Sequence, residues 1–307
     1  MSKAITEPEK LSQKLPIYII TPVYNRRETT LAYLAHLERC GDLQRYHVVI
    51  VDDGSTDGTA EAIRDCYREV VVLPGSGDLW WTGAMALGMQ YAYDQGADYF
   101  FWINDDCLPA ENALSRMESF MRQQADTLVS ASFYTAESTA PVRVSGFQGR
   151  QSMLAGPSEI VEVDGVSGWC VGIPRAVFSK IGPPNAWKFP HYNGDSMYTL
   201  AATRAGFKAC ILGDAIAILV EAGASRGDLS SVFNPDLSLF QSLSALFWSK
   251  KSPFRLPTQF FYQTARYGIL LGTPLFVMRA LSWLGKWIKL QTDSRLKARS
   301  FNPQEHA

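Results

Sequence analysis

Three short apolar runs, each ended by polar residues and separated by stretches of helical spacing, constrain this chain more than any other feature. Ile17 to Ile20 stops at Thr21-Pro22, His47 to Val51 stops at Asp52-Asp53-Gly54-Ser55, and Tyr99 to Ile103 stops at Asn104-Asp105-Asp106. Runs this short and apolar read as strands buried on both faces. Between them, Leu31, Leu34 and Leu37 recur at helical spacing, Thr56 or Asp57 stands as a cap for a helix over 58–68, and residues 82–94 read as another helix. With a strand over 69–73, the alternation from 17 to 125 predicts an α/β fold: a mostly parallel sheet with helices on both faces. In such sheets ligands gather outside the carboxyl ends of the strands. The polar groups that end these three runs fall there.

Further along, 169–181 reads as strand then helix, 195–206 as a helix, and 208–212 and 215–220 as two short apolar runs. Residues 234–249 and 257–290 read as helical, with Pro253 and Pro257 as breaks. We therefore expect a loose leader over 1–14, a main domain over 15–230 divided near 125, and an extension over 231–307. Charge sets the extension apart. Residues 250–307 hold ten Lys and Arg against two Asp and Glu, and the remainder holds 19 against 28. The net charge of −1 argues against a nucleic-acid binder. Five cysteines with wide spacing and no CxxC indicate reduced thiols, and the polar N-terminus lacks the apolar core of a signal peptide, so a cytoplasmic location is expected.

Thr21-Pro22-Val23-Tyr24-Asn25-Arg26, Asp52-Asp53-Gly54-Ser55-Thr56-Asp57 and Asn104-Asp105-Asp106, in this order and spacing, resemble family 2 glycosyltransferases of the kind that builds bacterial surface polysaccharides. The resemblance covers about 15–225. It implies a GT-A (Rossmann-like) fold and inverting transfer of a sugar from a UDP- or dTDP-sugar to a saccharide or lipid-linked acceptor. The half over 15–125 then binds the nucleotide and the half over 126–230 the acceptor. It assigns Thr21, Pro22, Tyr24, Asn25, Asp52, Asp53 and Ser55 to the nucleoside, where a carboxylate accepts from a base imide N–H and ribose hydroxyls. Asn104-Asp105-Asp106 takes the place of the family's acidic metal motif, with Asn at its first position. Asp106 is the implied ligand for Mg²⁺ or Mn²⁺, and Asp105 and Asn104 support the donor.

Trp80, Trp81, Thr82 and Gly83 open the helix over 82–94, whose N-terminal N–H groups suit a diphosphate; the two Trp serve equally as core aromatics. Gly168 and Trp169 correspond to the segment beneath the donor sugar. Asp195 stands where the family carries its catalytic base, with Gly194 in place of a preceding acid; as an isolated residue it also suits a helix N-cap. His191 is assigned to the acceptor side. Glu221 takes the place of a late metal-binding His. Rival readings are a sugar nucleotidyltransferase, against which the first loop lacks a Gly-rich basic segment, and a non-catalytic binding or scaffold protein on the same fold.

In the extension, Arg279, Ser282, Lys286 and Lys289 make one polar stripe, with Leu275, Phe276, Met278, Leu281, Trp283, Leu284, Trp287 and Ile288 around the rest. This suits an interfacial helix on an anionic membrane surface over residues 257–300, peripheral on the inner face of the cell membrane. The competing reading is a helix packed on the main domain or a partner. The sequence leaves homo-oligomerisation open.

Overall fold

The computed structural model of the chain describes residues 14–220 and 228–300. The first half alternates as expected: β1 (Ile17–Val23), α1 (Arg27–Arg39), the short α2 (Asp42–Arg45), β2 (His47–Asp52), α3 (Thr59–Cys66), β3 (Val71–Pro74), α4 (Trp80–Asp94) and β4 (Tyr99–Ile103). There follow β5 (Cys107–Pro109), α5 (Ala113–Gln123), β6 (Thr127–Tyr134), β7 (Gly146–Gln148), β8 (Gln151–Met153), β9 (Ile160–Glu162), β10 (Gly165–Val166), β11 (Cys170–Pro174), α6 (Arg175–Ile181), α7 (Gly194–Arg204) and β12 (Lys208–Leu219). The extension contributes α8 (Leu239–Phe247) and α9 (Leu256–Ser300).

One large sheet runs β3-β2-β1-β4-β11-β6-β12-β5, with β9 on the side of β12; β10, β7 and β8 form a small second sheet. β1 to β4 are parallel, as their apolar runs require. β11 enters antiparallel between β4 and β6, pairing Cys170 with Ile103. This register carries Gly168 and Trp169 to the end of β4, where Trp169 O accepts the Asn104 N–H at 3.1 Å. The runs 208–212 and 215–220 are one strand, β12, whose register along β6 shifts between Leu212 and Ile216. Two apolar cores cover the sheet faces. One lies under α1 and α5 around Leu34, Leu37, Phe101 and Phe133. The other lies under α4 and α7 around Ile20, Met85, Phe100 and Trp102.

The extension departs from its reading in three respects. Pro257 stands in the first turn of α9, where its missing N–H and fixed φ cost nothing, so it starts the helix. The break falls at Gly268, at φ 76 and ψ 165, which divides α9 into two arms. A Cβ on Gly272 would meet Gln263 O at 2.5 Å, so the arms cross in close contact. The first arm docks Phe261, Tyr262 and Ala265 against Phe189, Met197 and Leu200 of the main domain. The two indoles expected to face lipid turn inward instead. Trp283 and Trp287 pack with Leu246, Phe247 and Phe254, and the Trp287 indole donates to Ser242 Oγ at 3.0 Å.

The outward apolar side chains of the second arm include Val277, Leu281, Leu284 and Ile288, one helical stripe, with Ile269, Leu270 and Leu271 at the turn exposed by 70, 88 and 65%. By length and composition α9 is apolar enough to cross a membrane, and little of its most apolar stretch is buried.

Candidate active site

The carboxyl ends of β1, β2 and β4 and the start of α7 converge on one edge of the sheet. The loops after β1 and β2 are tied together: Asn25 N–H donates to Ser55 Oγ at 2.8 Å, Thr56 N–H to Asn25 Oδ1 at 2.7 Å, and Arg27 N–H to Asp57 Oδ2 at 3.1 Å. Asn25 accepts a left-handed φ of 50 to make this tie, a conformation Asn tolerates better than most residues. Asp57 also takes the Thr59 N–H at the start of α3, so it performs the capping role read for it although Gly58 occupies the formal cap position.

Asp52 and Asp53 divide the work expected of them. Asp52 Oδ1 accepts the Ser55 N–H at 2.8 Å and shapes its own turn. Asp53 spends both oxygens on the next loop, accepting Gly77 N–H at 2.8 Å and Trp80 N–H at 2.9 Å. These two bonds hold Trp80 at φ 58, a conformation costing a bulky residue on the order of 1–2 kcal/mol. Asp53 is therefore a brace for the entry to α4. Thr21 is fully buried with its hydroxyl on Tyr33, so it belongs to the core. Tyr24 and Asn25 are exposed at the loop surface and Pro22 is half-buried.

The start of α4 does not offer the row of open N–H groups read from the sequence. Trp80 N–H goes to Asp53, Thr82 N–H to Pro190 O at 3.0 Å and Gly83 N–H to Leu79 O at 3.1 Å. Thr82 and Gly83 are buried, and what this helix contributes is a side chain. The Trp81 indole packs edge-on to Trp102 and donates Nε1–H to Asn104 Oδ1 at 2.8 Å. Asn104 thus orients Trp81 and does not offer that oxygen to a cation. An Asp in its place would have kept the acceptor but added charge beside Asp105 and Asp106.

Gly168 lies where a Cβ would sit 2.8 Å from the Trp81 ring and 2.7 Å from Asp195 Cβ. Only glycine permits this approach. Its N–H donates to Asp195 Oδ2 at 2.7 Å, and Asp195 Oδ1 accepts Ser196 N–H at 2.7 Å. Asp195 lies in the first turn of α7, after the cap residue Asn193, so the simple capping reading fails. Burial raises its pKa above the ordinary carboxylate range, against the opposing pull of the Gly168 and Ser196 N–H groups. Gly194, where the family has an acid, faces Thr82: a Cβ would fall 2.0 Å from Thr82 Oγ1. The packing of α4 on α7 thus leaves no room for a side chain at 194. Trp169 lies on the opposite sheet face, packed on the α1-side core with Arg143 4.7 Å over its ring, and does not join Trp81. His191 stands 5.6 Å from the Trp80 ring, stacked edge-on.

Asp105 and Asp106 share a partner the sequence reading did not assign. Arg26 Nε lies 3.0 Å from either oxygen of Asp105, and its Nη2 lies 3.2 Å from Asp106 Oδ2. Thr30 adds a hydroxyl to Asp105 at 3.0 Å. Burial lifts the Asp105 carboxyl to about 6, with Arg26 pulling it down and Asp106 pushing it up. Arg26 follows Asn25 in the first loop, and only the crossing of that loop over β4 reveals its role.

Asp106 Oδ1 is buried and takes no hydrogen bond. A carboxylate oxygen left so at a strand end suits a hard cation. Among the described residues no cluster of three or more His, Cys, Asp and Glu gathers to hold a metal alone. A cation here would take the rest of its shell from diphosphate oxygens and water, as Mg²⁺ commonly does. Glu221, the other assigned ligand, lies outside the described residues; Val220 before it donates its N–H to Asp106 O at 3.0 Å.

The sequence profile of glycosyl transferase family 2 matches residues 18–182, more than half of the chain. The chain belongs to glycosyl transferase family 2. No curated protein sequence matches it. Among solved structures, this family 2 chain is similar to GalNAc-T7 with UDP, GalNAc and Mn²⁺, at 12% identity and TM-score 0.57 over 85% of this chain. It spans 52% of that protein, about half its length. It is also similar to mannosyltransferase PcManGT from Pyrobaculum calidifontis in complex with GDP-Man and Mn²⁺, at 15% identity and TM-score 0.52, covering 96% of this chain and 89% of that one. S. aureus TarS is similar at 16% identity and TM-score 0.51, covering 76% and 42%. At these identities the likeness concerns the fold, and it agrees with the GT-A architecture of the family 2 chain.

Proposed function

We propose that this protein transfers a sugar from a nucleotide-sugar, a UDP- or dTDP-sugar first, to an acceptor hydroxyl with inversion at the anomeric carbon, in the synthesis of a surface glycan or lipid-linked saccharide. One observation carries the reading: Asp195, Gly168, Trp81 and Asn104 form an unbroken chain of contacts across the sheet edge that ends beside Asp105 and Asp106. A base, a close-approach backbone and an acidic cation site thereby share one edge.

The chemistry follows from these positions. The acceptor oxygen attacks the anomeric carbon while Asp195 takes the hydroxyl proton, and the bond to the nucleoside diphosphate breaks with its electron pair on the leaving phosphate. Burial makes Asp195 a stronger base than an exposed Asp. Gly168 lets the Trp81 ring and Asp195 close on its backbone, which sets the base beside the indole that would wall the sugar pocket on the α4 side. Asp106, with its unsatisfied oxygen, would hold Mg²⁺ or Mn²⁺, and such a cation neutralises the departing diphosphate. Arg26 uses part of its five-donor fork on the two aspartates and keeps the rest for phosphate. The turn Ile269-Leu270-Leu271 and the stripe from Val277 to Ile288, beside Lys286 and Lys289, support a peripheral seat on an anionic cytoplasmic membrane surface.

The test is nucleotide release from UDP-, dTDP- and GDP-sugars with Mn²⁺, Mg²⁺ or EDTA, for wild type, Asp106→Ala and Asp195→Asn. The GDP arm is included because PcManGT holds GDP-Man. Metal-dependent release from one donor, lost in both variants, is expected. Absence of nucleotide binding across the panel would sink the reading.

A further inference from the structure

A cavity of about 340 Å³ opens between the β7–β8 hairpin and α9, outside the residues assigned above. Arg150, Arg266 and Arg279 line it, together with Tyr262 and Tyr267. Its wall also includes Ser167 and Ser196, the chain neighbours of Gly168 and Asp195. The cavity therefore lies next to the segment that carries Gly168 and the turn that carries Asp195.

Its electrostatics are unbalanced. None of the three arginines pairs with a carboxylate among the described residues. Arg266 is held rigidly: its guanidinium stacks 4.2 Å over Phe147 and donates to Tyr262 Oη and Gly149 O at 2.6 Å each. Its Nε–H is buried with no acceptor. Asp164, which lines the adjoining cavity, is engaged by the Gly149 N–H at 2.6 Å. Three arginines on the walls of one cavity, without a carboxylate partner among the described residues, suit a multiply charged anion.

We propose that this cavity binds a phosphate or diphosphate group of the acceptor, with the three arginines as its ligands and the reacting hydroxyl directed past Ser167 and Ser196 to Asp195. The proposal rests on the glycosyltransferase reading for the name "acceptor", and it narrows the substrate class to phosphorylated saccharides. Such a group comes from a lipid-linked diphosphate or from a soluble sugar phosphate. Only Gly268 separates Tyr267 from the exposed turn Ile269-Leu270-Leu271, which puts an apolar surface beside the cavity.

Calorimetric titration of the full chain in EDTA with geranyl diphosphate and with inorganic pyrophosphate tests it. Arg150→Gln/Arg279→Gln is the comparison, since both side chains are exposed and neither makes a salt bridge among the described residues. The expected result is saturable binding that weakens at least tenfold in the double variant at unchanged melting temperature. Tighter binding of geranyl diphosphate supports the lipid-linked source, and equal binding supports the soluble one. No binding, or equal binding by wild type and variant, overturns the proposal. UDP affinity in Mn²⁺ is measured in parallel: its loss strikes the glycosyltransferase reading and leaves arginine-dependent diphosphate binding intact.

Discussion

Trp81 and Asn104, on different elements, are joined by an indole N–H to carbonyl bond of 2.8 Å, and the same ring closes over Gly168. The bond fixes the orientation of the ring and of the first residue of the acidic motif. Trp81→Phe keeps the ring area and removes the donor. A half-buried hydrogen bond of this kind contributes about 0.5–1.5 kcal/mol, so a loss of up to about tenfold in kcat/KM is expected. Asn104→Ala in the Trp81→Phe background should then cost less than it does in wild type. Additive losses in that double-mutant cycle would show that the bond has no catalytic bearing.

Gly194 is set by Thr82. Gly194→Ala places a methyl 2.0 Å from Thr82 Oγ1 and should destabilise by about 1–3 kcal/mol, as overpacking does. Thr82→Ala removes the obstructing oxygen, so Gly194→Ala/Thr82→Ala should recover much of the lost urea midpoint. A double variant as unstable as Gly194→Ala would contradict the packing account.

Asp195→Asn should lower turnover by about 10²–10⁴-fold while leaving donor KM near wild type. The base acts when ionised. Because burial raises its pKa, the acid limb of the kcat profile should lie above the pH of an ordinary aspartate, with rate rising as pH rises through it. A limb at the usual carboxylate position would assign it to another group.

Arg26 competes with a cation for Asp106. Removing its charge in Arg26→Gln leaves the motif more negative, so Mn²⁺ affinity should rise by about tenfold, consistent with a unit charge within ~6 Å at a partly exposed site. Asp106→Ala should lose Mn²⁺ binding. Titration in the presence of UDP, read by the paramagnetic signal of Mn²⁺, follows both, and weaker binding by Arg26→Gln would mean that the arginine only organises the aspartates.

Asp42, in the first turn of α2, gives a stability signature apart from catalysis. Burial raises its carboxyl to about 7, with Arg45 pulling it down only in part. A folded-state pKa above the unfolded value means that stability present at pH 4 is lost as pH rises to about 7, and is level above that. Asp42→Asn should therefore gain on wild type across this window, by up to about 4 kcal/mol at pH 8. Denaturant melts at pH 4, 6 and 8 measure the gap, and a gap independent of pH would refute the assignment.

The strands, and the order of the polar groups that end them, are legible in the amino-acid sequence. Apolar runs ending in Thr21-Pro22, Asp52-Asp53 and Asn104-Asp105-Asp106 require burial followed by a turn, and parallel pairing brings those turns to one edge. Helical spacing of Leu31, Leu34 and Leu37 also marked α1, because a buried face repeats at that period. Which polar groups remain for a ligand depends on long-range packing. Asp53 looked like a nucleoside contact until its two oxygens met Gly77 and Trp80, and the N–H groups of α4 looked open until Pro190 and Asp53 took them. Arg26 reaches Asp105 and Asp106 across 79 and 80 residues, a pairing no local pattern encodes. In the extension, amphipathic spacing was legible, but Gly268 chose which apolar face turns inward and sent Trp283 and Trp287 into a core. Local sequence fixes what a segment must bury and where it must turn. Which hydrogen-bonding groups are left over depends on partners distant in the chain, and only the folded arrangement supplies those.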